Sequence, residues 1–119
     1  MDGTTDKARP SAQDERRRAK IAAELAAIGL ALPGTLTERH TRCSSPGCRC
    51  RAEPPVLHGP YYSWTRKIQG KTVTRTLSAE QAQRYGPWFD QARRLRALTA
   101  ALEKLSLAIA ERAEGWGEK

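Results

Sequence analysis

Apolar positions divide the chain into stretches of different period. Ile21, Leu25, Ile28 and Leu32 recur at spacings of four, three and four residues, the repeat of one helical face. Pro33 and Gly34 close this segment, because proline disfavours helical geometry in its predecessor and glycine tolerates a turn. An amphipathic helix over residues 13–33 is therefore predicted, and the polar residues 1–12 before it are expected to form a disordered tail. Residues 34–60 show no period but hold many turn formers, among them Ser44, Ser45, Pro46, Gly47, Pro54, Pro55, Gly59 and Pro60. A loop of that length needs internal organisation.

The next segment, "YYSWTRKIQGKTVTRTLS", is rich in Tyr, Trp, Val, Ile and Thr, which predicts a β-hairpin over 61–77 with strands 61–68 and 71–77. Gln69-Gly70 marks its turn. A two-residue turn sets Tyr62 opposite Leu77, Trp64 opposite Arg75, Arg66 opposite Val73 and Ile68 opposite Lys71. That face would cover the helices, with Trp64 and Arg75 stacked as a cation–π pair. Ser63, Thr65, Lys67, Thr72, Thr74 and Thr76 share the other face.

Ser78 and Gln81 have the spacing of a capping box, so a helical segment over 78–114 follows, broken or bent at Gly86-Pro87. Past that point Trp88, Leu95, Leu98, Leu102, Leu105 and Ile109 fall on alternating heptad positions, with Gln91 the polar exception. The fold class is α+β: an N-terminal helix, a stapled loop, a two-stranded β-hairpin and a long C-terminal helix packing on the first helix or on a dimer mate. About 28 helical residues from Trp88 span roughly 42 Å, more than a hairpin covers. The distal stripe is thus expected to meet a second copy or a partner protein.

Charge adds a candidate partner. The chain of 119 residues has 21 Lys and Arg against 13 Asp and Glu, a formal charge of +8. Eight cations and two acids lie between Glu38 and Arg75, so the central third holds most of the excess. Such a surface favours polyanions, and a two-stranded ribbon fits the major groove of DNA. Arg49, Arg51, Arg66, Lys67, Lys71 and Arg75 are the candidate nucleic-acid contacts, with Arg93, Arg94 and Arg96 read as a solvated helix face.

The unpaired count of three cysteines is a poor disulfide framework and a better ligand set. Cys43, Cys48, Cys50 and His58 follow the pattern C-x4-C-x-C-x7-H, with Pro46-Gly47 supplying a turn between the first two. In an extended segment Cys48 and Cys50 would face one point while Arg49 points outward. Three thiolates and one imidazole fill a tetrahedral zinc site and leave no place for water, so the expectation is a structural zinc and not a catalytic one. Arg42, Arg49 and Arg51 would offset the thiolate charge. His40 competes with His58 for the fourth place; His58 is preferred because His-Gly-Pro leads directly into the hairpin.

The stretches "LPGTLTERHTRCSSPGCRC" and "HGPYYSWTRKIQGKTVTRTLS", followed by the heptad helix, resemble a family of small prokaryotic proteins of unknown function whose members lie near transposon or recombinase genes. The matching residues are Cys43, Cys48, Cys50, His58, Gly59, Pro60, Tyr61, Gly70 and Lys71. The link Ala52-Glu53-Pro54-Pro55-Val56-Leu57 departs from it, since a more glycine-rich or charged link is expected there. The resemblance implies the same architecture and an association with mobile elements.

"RRRAKIAAELAAIGLALPG" has the basic start and apolar run of an export signal, but Glu24 interrupts the run and its period is helical. A cytoplasmic, membrane-free protein is expected. No paired carboxylates, nucleophile triad or phosphate-cradling loop is present, so the expected function is non-enzymatic. It is that of a zinc-stabilised DNA-binding accessory protein. The rival is a zinc-stapled module for protein–protein contact or oligomerisation.

Overall fold

The computed structural model describes residues 7–116, so residues 1–6, the first half of the expected N-terminal tail, lie outside the described residues. The elements are helix α1 (Ala12–Ala26), strand β1 (Thr35–Thr41), a single 3₁₀ turn (Arg49–Arg51), strands β2 (His58–Ile68) and β3 (Lys71–Leu77), and helix α2 (Ala79–Glu114). Two compact units result: Met1–Gly29 with Arg93–Lys119, and Leu30–Ala92.

In the first unit, α1 starts with a capping box that the sequence reading had not marked. The Ser11 hydroxyl accepts from the Asp14 N–H at 3.0 Å, and the Asp14 carboxylate accepts from the Ser11 N–H at 2.9 Å. Ile21, Leu98 and Leu105 are buried together, and Leu25, Ile28, Leu102 and Ile109 pack against them. Each buried aliphatic side chain contributes roughly 1.5–3 kcal/mol. Asp14 pairs with Arg112 at 2.8 Å and Glu24 with Arg94 at 2.9 Å, so the two helices run antiparallel. The heptad stripe expected to meet either α1 or a second copy therefore meets α1 in its own chain. Leu95 stays 38% exposed.

Helix α1 stops at Ala26 and not near Leu32 as its spacing suggested. Gly29 interrupts the run and Pro33 holds Leu32 out of the helical region. Leu32 belongs instead to the second unit, where its N–H donates to the Trp88 carbonyl at 3.2 Å.

The second unit is built on a three-stranded antiparallel sheet of order β1-β2-β3. The β2–β3 pairing follows the expected register from Tyr62–Leu77 to Ile68–Lys71. Gln69 and Gly70 have φ of 50° and 82°, the left-handed pair that a tight hairpin turn requires. The third strand, β1, was expected to be loop; it pairs Leu36 with Trp64 and Glu38 with Tyr62, with an irregularity between Arg39 and Thr41.

One face of this sheet turns toward the start of α2. Leu77 is buried, Phe89 is 2% exposed, and the Trp64 and Phe89 rings meet edge to face at 5.8 Å. Helix α2 begins at the expected Ser78–Gln81 capping box, with reciprocal bonds of 2.9 and 3.0 Å. It runs as one helix through Pro87, so of the expected break or bend the break does not occur. Phe89, two residues beyond the proline, is held by the sheet, and such anchoring overrides local propensity.

The expected Trp64–Arg75 stack is also corrected. The Arg66 guanidinium lies over the Trp64 ring at 4.4 Å from its centroid, because residues two apart on a strand share a face and Arg66 has the reach.

Candidate metal centre

The loop from Cys43 to His58 folds by short local bonds. The Cys48 N–H donates to the Ser45 carbonyl at 3.2 Å, closing a turn around Pro46 and Gly47. The Arg51 and Ala52 N–H groups then donate to the Cys48 and Arg49 carbonyls, both at 3.0 Å. The expected extended Cys48–Cys50 segment is thus a 3₁₀ turn. Both sulfurs still converge, and Arg49 points to solvent. Across the loop, the Arg51 guanidinium donates to the Cys43 carbonyl at 2.7 Å, a closure that spacing alone did not reveal.

His58 opens β2, and the backbone around it is tight. Gly59 has φ of 124°, and a Cβ there would lie 2.9 Å from the Arg39 carbonyl oxygen. Glycine lets β2 approach β1 beside the irregularity at Arg39–Thr41, which brings His58 over the loop.

The four predicted donors come together. The ligand atoms of Cys43, Cys48, Cys50 and His58 all lie within 4.8 Å of one another. Cys43 and Cys50 sulfurs are 3.7 Å apart, and Cys48 Sγ is 3.1 Å from His58 Nε2. Two thiolates bound at about 2.3 Å in a tetrahedral site stand roughly 3.7 Å apart, so this spacing suits one metal ion. All three cysteines are free of disulfides. His40 is not in the cluster; its Nε2 lies 3.4 Å from a Glu38 carboxylate oxygen.

The electrostatics are uneven within the cluster. The Ser45 backbone N–H, the His58 ring and the Cys48 side chain pull the Cys43 thiol down from 9.0 to about 6, against burial and with help from Cys50. Cys50 is fully buried. The Cys43 N–H donates to its sulfur at 3.3 Å and favours its thiolate, but desolvation and the neighbouring Cys48 and Cys43 sulfurs outweigh this and raise it. The lowered Cys43 thiol is ready to ligate at neutral pH, and a bound cation would offset the desolvation that raises Cys50.

The six candidate nucleic-acid residues do not form one patch. Arg49 and Arg51 sit on the metal loop, and Lys67, Lys71 and Arg75 are exposed on the hairpin. Arg66 is half-buried over Trp64. Lys71 and Arg75 stand opposite Ile68 and Trp64, whereas Lys67 stands opposite Thr72, so Lys67 projects from the other side of the sheet. No helix among the described residues is long and apolar enough to cross a membrane.

A family model for a domain of unknown function matches residues 11–85, a span that takes in α1, the whole sheet, the four converging donors and the start of α2. No curated protein and no solved structure matches the chain.

Proposed function

The chain belongs to the family of the domain of unknown function DUF6788, and from that premise we propose a non-enzymatic, zinc-stabilised DNA-binding accessory domain. The observation that carries the reading is the closed Cys3His donor set at the head of β2. Four protein donors leave no position for water or substrate, which is the composition of a structural site, and zinc is the ion that thiolate and imidazole donors hold in this way. Three thiolates and Zn²⁺ leave a net charge of −1, which Arg42, Arg49 and Arg51 offset. Bound zinc would fasten the loop to the head of β2 and so hold β1, which leads into that loop, against the central strand.

The nucleic-acid half of the reading rests on charge. The excess of +8 is concentrated around the loop and sheet, and the exposed cations there are of the kind that contact phosphates. A reducing compartment such as the cytoplasm keeps the thiols available to the metal. The likeness of the motifs to proteins near transposon or recombinase genes supports a place in a mobile element.

The test is a native mass spectrum of the purified protein, followed by titration with duplex DNA at two salt concentrations. One zinc per chain and an affinity that falls steeply with salt are expected. Zinc without any salt-dependent binding would instead favour a protein-contact module.

A further inference from the structure

The side of the sheet turned away from Phe89 has a composition unlike the rest of the surface. From β1, β2 and β3 it presents Thr35, Thr37 and Arg39, then Tyr61, Ser63, Thr65 and Lys67, then Thr72, Thr74 and Thr76, as the two registers require. The six positions on β1 and β3 are exposed, as are Tyr61 and Lys67. No acidic side chain is among these ten. Arg39 and Lys67 make no ion pair among the described residues, while Glu38 falls on the opposite side, facing its own strand's neighbour Tyr62. Thr65 and Thr74 Oγ1 atoms lie 3.3 Å apart, so two of these hydroxyls meet across β2 and β3.

We propose that this hydroxyl-rich face, with Arg39 and Lys67 at its margins, is the surface that enters the major groove of double-stranded B-form DNA. The inference rests on the nucleic-acid reading above and narrows it to one face and one duplex form. Strands stand about 4.8 Å apart, so the axes of β1 and β3 are separated by roughly 10 Å. The B-DNA major groove is about 12 Å wide. Threonine offers both a hydroxyl for phosphate or base edges and a methyl for the thymine methyl group, and the two cations sit where they can reach phosphates on the groove walls. A-form RNA closes its major groove to side chains, so an RNA duplex is a poor occupant.

Two paired-charge variants separate this face from the other. Arg39→Ala with Lys67→Ala removes two cations from the hydroxyl face; Lys71→Ala with Arg75→Ala removes two from the helix side. The zinc-loaded full chain is titrated by fluorescence anisotropy against a mixed-sequence DNA duplex and the corresponding RNA duplex, between about 50 and 200 mM salt. The first pair should weaken DNA binding roughly tenfold or more and lower the salt slope by about 1.8, a clearly larger loss in both than the second pair gives. Thr74→Glu, which places a carboxylate in the array at an exposed position, should abolish binding while leaving metal content unchanged. Equal losses from the two pairs, or equal binding of RNA and DNA, would overturn the face assignment and leave the nucleic-acid reading standing. An unmodified chain that binds neither duplex would overturn both.

Discussion

The Trp64 indole donates from Nε1 to the Pro33 carbonyl at 2.8 Å, joining the middle of the central strand to the Leu-Pro-Gly segment that precedes β1. The contact requires close approach at the next residue. Gly34 has φ of 88°, and a Cβ there would sit 2.4 Å from the Thr65 carbonyl oxygen and 2.9 Å from Trp64 Nε1.

Gly34→Ala should therefore destabilise the protein by about 2–4 kcal/mol, combining left-handed strain with overpacking against backbone. Gly47→Ala is the control: its Cβ meets nothing within 4 Å and its φ is not left-handed, so stability should stay within about 0.5 kcal/mol or rise slightly. Urea denaturation of the two variants distinguishes them.

The hairpin turn offers a change in the opposite direction. Gln69 occupies a left-handed position at φ 50° that asparagine or glycine adopts more easily. Gln69→Asn should stabilise the protein by about 0.5–1 kcal/mol without altering the register, measured as a higher urea midpoint at unchanged m-value.

Metal affinity should depend on pH in two stages. The thiolate is the ligand, so a metal such as zinc competes with protons and affinity rises with pH. Cys43 has already lost its proton above about pH 6, whereas Cys50 holds its proton to higher pH than usual. The slope of log affinity against pH should then steepen by about one as pH falls below 6, when Cys43 begins to compete as well. Cys43→Ser should remove that step. Competition titration with a chromophoric chelator across the range reads it directly.

The helical unit has its own acid signature. The Ser11 backbone N–H and the Arg112 guanidinium hold the Asp14 carboxyl below its ordinary value of 3.8. A folded-state value below the unfolded one adds stability that is present above the unfolded value and is lost as pH falls through the folded one. Asp14→Asn should therefore lessen the loss of stability as pH falls below about 4. Thermal unfolding followed by circular dichroism across that window checks it.

The parts of this protein that were legible in the sequence are those whose signal is local. The four donors needed only their residue types and a turn at Pro46-Gly47, and the hairpin register followed from alternation around a two-residue turn. Strand β1 was hidden because Leu36 is the one aliphatic residue in "TLTERHT", and a polar edge strand declares itself only through its neighbour. The ends of helices misled for a related reason. Leu32 continues the period of α1 but is captured by Trp88 in the other unit, and Pro87 should interrupt α2 but lies two residues before Phe89, which the sheet holds. Arg66 displaced Arg75 from Trp64 because a register identifies which residues share a face, not which flexible side chain reaches the ring first.

The irregularity between Arg39 and Thr41 has one more effect. A sheet with two edge strands invites a fourth strand from another chain, yet β1 presents Glu38, Arg39 and His40 along its margin and loses its regular pairing pattern at His40. Charges and a bent ladder deny an incoming strand a straight template to copy. The same distortion that brings His58 over the cysteines thus leaves the β1 margin a poor template for edge-to-edge pairing.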